Sequence, residues 1–238
     1  MKIDFKRNIE FQKLYNNLKS DMNQILYNIY TTQIANGVNI NFTGNGIYYR
    51  GETSNLTISF RALINNQIAA QGFTLPLQRQ ILSWGGIHRF NQFQLVNPAI
   101  NQLQLQNTIN IQTANAISSY SKLFAFYSPT NYFILDARVA YVINKLIITN
   151  GLIGNLPINF NINRSRNVNL TLNYRNLMNG WNGSTTNIVN FYPIYCNLII
   201  EIHSYFINQN PLIFANNGFI NSDPEIIEMF LFYLADYL

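Results

Sequence analysis

Apolar residues recur along most of this chain with the period of a helix. From about residue 5 to 35 they fall at Phe5, Ile9, Leu14, Leu18, Met22, Ile25, Leu26 and Ile29, which predicts one long amphipathic helix. Residues 36–53 break the pattern with Gly37, Gly44, Gly46 and Gly51, and Val38–Phe42 alternate, so a loop with a small hairpin is expected there. Tyr48, Tyr49 and Arg50 at its end could stack or meet a phosphate. Helical spacing returns at Ser54 with Leu56, Ile58, Phe60, Leu63, Ile64 and Ile68. Pro76 suits the first turn of the next helix, which carries Leu77, Ile81, Leu82 and Trp84 and stops at Gly85-Gly86. Residues 92–112 read as irregular or weakly helical around Pro98.

Two apolar helices are expected at about 114–127 and 136–149. Gly151, Gly154 and Pro157 then interrupt the chain, and Ile158–Ile162 alternate like a short extended segment. Arg164, Arg166 and Tyr174-Arg175-Asn176 fall in a polar, loop-like stretch that runs to about residue 184. A long apolar helix follows at about 185–208, with a bend expected at Pro193. Ser222-Asp223-Pro224-Glu225 is a helix-start signal for a last helix from Ile226 to Leu238. The sum is one mainly α domain with minor β structure and no internal repeat.

Composition narrows the chemistry. Only 11% of residues are charged, against ~25% in an ordinary globular chain. Asn and Gln supply much of the remaining polarity. The net charge of +5 is mild. The arginines at 50, 61, 79, 89, 138, 164, 166 and 175 could line one concave face and meet a polyanion, or could simply make a slightly basic surface. A single cysteine, Cys196, excludes an intrachain disulfide framework, and two histidines argue against a protein-built zinc site. The N-terminus lacks an apolar signal core, and no apolar run reaches the ~18 residues of a membrane span, so a cytoplasmic protein is expected.

Against this background Ser118–Ala140 stands out. Lys122 lies inside an apolar helix among Leu123, Phe124, Ala125 and Phe126. Such a lysine either snorkels to water or is partly desolvated, and desolvation favours the neutral, nucleophilic amine. Asp136 opens the next helix, where it can cap by accepting a backbone N–H bond and is held in a fixed direction. Arg138 can hold a phosphate or pair with an acid.

Tyr120-Ser121-Lys122-Leu123, Pro129 and Phe133-Ile134-Leu135-Asp136-Ala137-Arg138-Val139 resemble the catalytic segment of helix-hairpin-helix DNA glycosylases. The likeness is to the bacterial 8-oxoguanine-glycosylase-like branch, some of whose members serve anti-phage defence. Ile81–Gly86 and Glu225–Phe232 also resemble that branch, so the resemblance covers residues 76–142 and 222–234. It implies two helical lobes around a cleft between residues 76–142 and the terminal helices, in a monomer that acts on DNA. It implies that Lys122 attacks the sugar C1′ while Asp136 assists, with or without an accompanying AP-lyase step, and that no metal or cofactor is needed. Trp84, Phe126, Phe230 and Tyr233 become walls of a base pocket. Arg89, Tyr120, Ser121, Arg138, Arg164 and Arg166 become DNA contacts.

Two departures are visible. The glycine-rich hairpin turn of the family is replaced by Ala116-Ile117-Ser118-Ser119-Tyr120, and Phe126 stands where 8-oxoguanine enzymes carry a small residue. The second points away from 8-oxoguanine itself. The alternative is a non-enzymatic helical module that binds nucleic acid or protein. Geometry separates the two: in the enzyme, the Lys122 amine and the Asp136 carboxylate face one cleft within water-bridged reach.

Overall fold

The computed structural model describes residues 9–37, 54–152, 157–160, 168–220 and 222–238, with side chains in the first helix described from residue 21 onward. The hairpin expected at 38–42, the Tyr48-Tyr49-Arg50 cluster, Arg164 and Arg166 lie outside the described residues. The helices are α1 (Ile9–Ala35), α2 (Ser54–Gln71), α3 (Leu75–Trp84), α4 (Val96–Gln106), α5 (Ile111–Asn115), α6 (Ile117–Tyr127), α7 (Ala137–Thr149), α8 (Val168–Asn179), α9 (Ile188–Gln209) and α10 (Glu225–Leu234).

The fold is mainly α, and among the described residues it contains no strand. Of the extended segment expected at 158–162, residues 158–160 are described, and Ile158 makes a parallel bridge to Thr186. A stretch expected to be irregular or weakly helical, 92–112, and one expected to be loop-like both contain helices. In α4, Pro98 falls in the first turn, where its missing N–H has no intrahelical partner to lose. In α8, Leu170 and Tyr174 lie one turn apart and are buried, and Leu177 and Met178 pack on the core a turn later. That spacing is helical, but the many asparagines between these positions obscure it. The last helix starts at Glu225 without a side-chain cap: Asp223 contributes its backbone carbonyl to the Ile226 N–H instead of its carboxylate.

Helices with apolar residues on every side belong in the interior. All ten residues of α10 are buried, and so is α6 from Tyr120 to Phe126. Helices α2, α3, α4 and α5 surround α6, while α7, α9 and α2 pack on α10. Helix α1 lies on α9 and α8 on α7. Each large apolar side chain buried in this way contributes ~1.5–3 kcal/mol. Helix α2 touches both central helices, and its buried face carries Arg61 between Ile58 and Ile64. The consequence is a cluster of charges where water is excluded.

Candidate active site

Lys122 and Asp136 meet at the centre of the molecule. The Lys122 Nζ lies 4.0 Å from Asp136 Oδ2, and both residues are 1% exposed. Lys122 occupies the middle of α6, and its ammonium donates to the carbonyl of Ser118 one turn back (3.1 Å). Its aliphatic stem runs across Gly85 at the end of α3. A Cβ on Gly85 would sit 2.5 Å from Lys122 Cδ and 2.8 Å from Cε, so only glycine leaves the stem its path. Burial lowers the Lys122 pKa; the charges of Asp136 and Glu228 oppose the shift, and that of Arg61 adds to it.

Asp136 caps α7 as expected. Its Oδ1 accepts from the N–H groups of Arg138 (3.0 Å) and Val139 (3.3 Å). Those bonds leave Oδ2 pointing at Lys122.

The segment that delivers Asp136 is extended and buried, yet it pairs with no strand. Side chains satisfy its backbone. Tyr192 and Tyr195 of α9 donate their hydroxyls to the carbonyls of Phe133 (3.1 Å) and Ile134 (2.7 Å). Glu228 of α10 accepts from the Ile134 N–H (2.8 Å). Ser121 of α6 accepts from the Leu135 N–H (3.0 Å) and donates to the Leu135 carbonyl (3.3 Å). Buried backbone polar groups are costly when unpaired, and this segment pairs them through three helices. Ser121 and Leu135 immediately precede Lys122 and Asp136, so the Ser121–Leu135 bonds also set the spacing of the two candidate groups.

A second cluster lies against the first. Arg61 of α2 is 0% exposed and grips Glu228 with both arms, Nη2 to Oε1 at 2.6 Å and Nη1 to Oε2 at 3.0 Å. Arg61 also donates to Glu225 (3.3 Å), and its guanidinium lies 5.7 Å from the centre of the Phe126 ring. Burial pushes the Glu225 carboxyl up to about 7; Arg61 opposes this, while Glu228 and Asp223 add to it. Sequence reading missed this network because its members lie more than 160 residues apart, although two carboxylates three residues apart in an otherwise apolar helix were a signal that a buried cation faced them.

The remaining expected site residues are dispersed. Trp84 is partly buried and meets Phe126 at 5.0 Å between ring centres, with Phe60 against both rings. Phe230 and Tyr233 are not part of that group. Phe230 meets Tyr30 edge-on at 4.9 Å and Tyr233 stacks on Tyr237 at 4.5 Å, while Trp84, Phe126 and Phe60 form a separate ring cluster. Three residues expected to contact DNA make contacts within the protein. Tyr120 is buried with its hydroxyl against Gln92 (3.2 Å), and Ser121 is occupied by Leu135. Arg138 is buried, pairs with Asp236, donates to the Phe232 carbonyl (3.3 Å) and stacks over the Phe232 ring. Arg89 is exposed just beyond α3. The glycine-free turn is the single residue Ala116 between α5 and α6, and its carbonyl takes the N–H groups of Ser119 and Tyr120.

Comparisons with protein-family models, with curated proteins and with solved structures found no match. No described helix is long and apolar enough to cross a membrane, and no cluster of metal-ligating side chains is found among the described residues.

Proposed function

We propose that this chain is a DNA base-excision N-glycosylase, built on a two-lobed helical glycosylase-like fold, that removes a damaged or modified base in repair or anti-phage defence. The observation that supports it best is the approach of the Lys122 amine to 4.0 Å from a carboxylate fixed by a helix cap. A desolvated lysine supplies neutral amine at neutral pH more readily than an exposed one. In the proposed reaction the nucleotide leaves the duplex, at a cost of a few kcal/mol, and its base enters beside Trp84 and Phe126. The Asp136 carboxylate stabilises the cationic sugar as the C1′–N bond breaks, and the base departs with the bonding electrons. The Lys122 nitrogen bonds to C1′ and loses a proton. The adduct opens to an imine, which either permits strand cleavage or is released by water. The amine is buried in the described structure, so the reaction requires it to be uncovered in the DNA complex.

The test is a panel of DNAs with oxidised, alkylated, deaminated or glucosylated bases, scored for free base and abasic sites. Release is expected from at least one member, with a loss of at least ~100-fold in Lys122→Gln and in Asp136→Asn. Release that persists unchanged in both variants overturns the assigned roles.

The depth of the pair favours a second reading, a non-enzymatic helical module in which Lys122–Asp136 is a structural contact. It predicts salt-sensitive DNA binding with no base release from any member of the panel.

A further inference from the structure

We propose that Glu228 is a positioning residue for the Lys122–Asp136 pair, and that Arg61 holds Glu228 in that role. One oxygen of Glu228, Oε2, accepts from two elements at once: from Arg61 of α2 at 3.0 Å and from the backbone N–H of Ile134 at 2.8 Å. Ile134 stands two residues ahead of Asp136 in the segment that has no strand partner. Tyr195 holds the carbonyl of the same residue, so Ile134 is fixed on both its polar groups. The carboxylate is 0% exposed, and its other oxygen is taken by Arg61 at 2.6 Å. Water therefore does not compete for either oxygen, and the bonds define where the segment lies.

The charge of Glu228 reaches the pair as well as its hydrogen bonds. The charged groups around Lys122 are Asp136 before α7, Glu228 on α10 and Arg61 on α2. Glu228 favours the ammonium form and Arg61 the neutral amine, so an opposed couple brackets the ionisation of Lys122. A bridge that served only to join α2 and α10 would not need to touch the Asp136 segment or act on Lys122.

The placement of the pair stands on geometry alone; its effect on base release rests on the glycosylase reading. The full chain is labelled with isotope-enriched lysine, the Lys122 side-chain resonance is assigned by its loss in Lys122→Gln, and it is followed against pH. In Glu228→Gln, which keeps the shape and an oxygen for Ile134, the midpoint of Lys122 is expected to shift downward. In Arg61→Met/Glu228→Leu, which removes both charges together and takes from Glu225 and the Ile134 N–H their bonds to this pair, the Lys122 resonance is expected to move and base release to fall toward the level of Asp136→Asn. Opposite-charge removal in pairs of this kind is commonly tolerated by the fold.

An unchanged Lys122 midpoint in Glu228→Gln overturns the proposal. So does wild-type base release in a folded double variant. If the double variant does not fold, Glu228→Gln decides alone. If wild-type protein releases no base from any DNA, the glycosylase reading fails, and the resonance shift still decides the role of Glu228.

Discussion

Two of the buried cations, Arg61 and Lys122, are held differently. Arg61 is gripped by Glu228 through both arms and reaches Glu225 as well, with contacts from 2.6 to 3.3 Å. Lys122 donates to a backbone carbonyl and stands 4.0 Å from its carboxylate. The guanidinium remains charged under all ordinary conditions, so its burial requires saturation of its donors. An ammonium can shed its proton when desolvated, so a lysine can be buried with a looser partner. The difference separates a fixed charge, which organises structure, from an adjustable one suited to chemistry.

The comparison breaks most severely at Glu228. Its replacement by leucine leaves Arg61 charged and buried without its main partner, and a loss of ~3–5 kcal/mol is expected in urea unfolding. Lys122→Met, by contrast, removes an adjustable charge and keeps the stem volume. Its stability is expected to fall by less than that of Glu228→Leu while base release is lost, because Asp136 loses the ammonium beside Oδ2 but retains its two bonds to the start of α7. A cost for Lys122→Met as large as that for Glu228→Leu would mean that the two cations do the same job.

Gly85→Ala sharpens the contrast further. The backbone at Gly85 (φ −74) suits alanine, and the group that must give way is the flexible end of Lys122. Stability is expected to change by less than ~1 kcal/mol, whereas base release falls because the amine is displaced. A crystal structure of the variant would show the moved stem.

The smallest effect concerns pH. The Glu225 carboxyl rises from 4.5 to about 7 on folding, so its contribution to stability is full below 4.5 and is lost as pH rises through about 7. Glu225→Gln is expected to flatten that part of the stability profile measured by denaturation. Lys122 has the other sign: its pKa is lowered on folding, so its contribution grows as pH rises toward the ordinary lysine value.

The helices around the candidate site were legible because their signals are local. Pro76 and Gly85 bracket α3, and Asp136 caps α7 in the manner its position suggested. The approach of Lys122 to Asp136 was legible only through a family resemblance, since thirteen intervening residues permit many geometries. The arginine–glutamate grip was not legible, because nothing near Arg61 in the chain marks it as different from Arg79 or Arg89. The ring partners of Phe230 and Tyr233 were not legible for a related reason. An apolar helix offers many aromatic rings, and its neighbours in space decide which of them face a cavity.

The segment from Phe133 to Leu135 has a further consequence. Slow amide hydrogen exchange ordinarily maps onto helices and sheets, where the backbone shelters itself. Here the Ile134 and Leu135 amides lie outside both, and their acceptors are a carboxylate and a hydroxyl from distant helices. Their exchange rates therefore report the docking of this segment onto the side chains of α6 and α10. A chain that had formed its helices without assembling them would show those two amides unprotected.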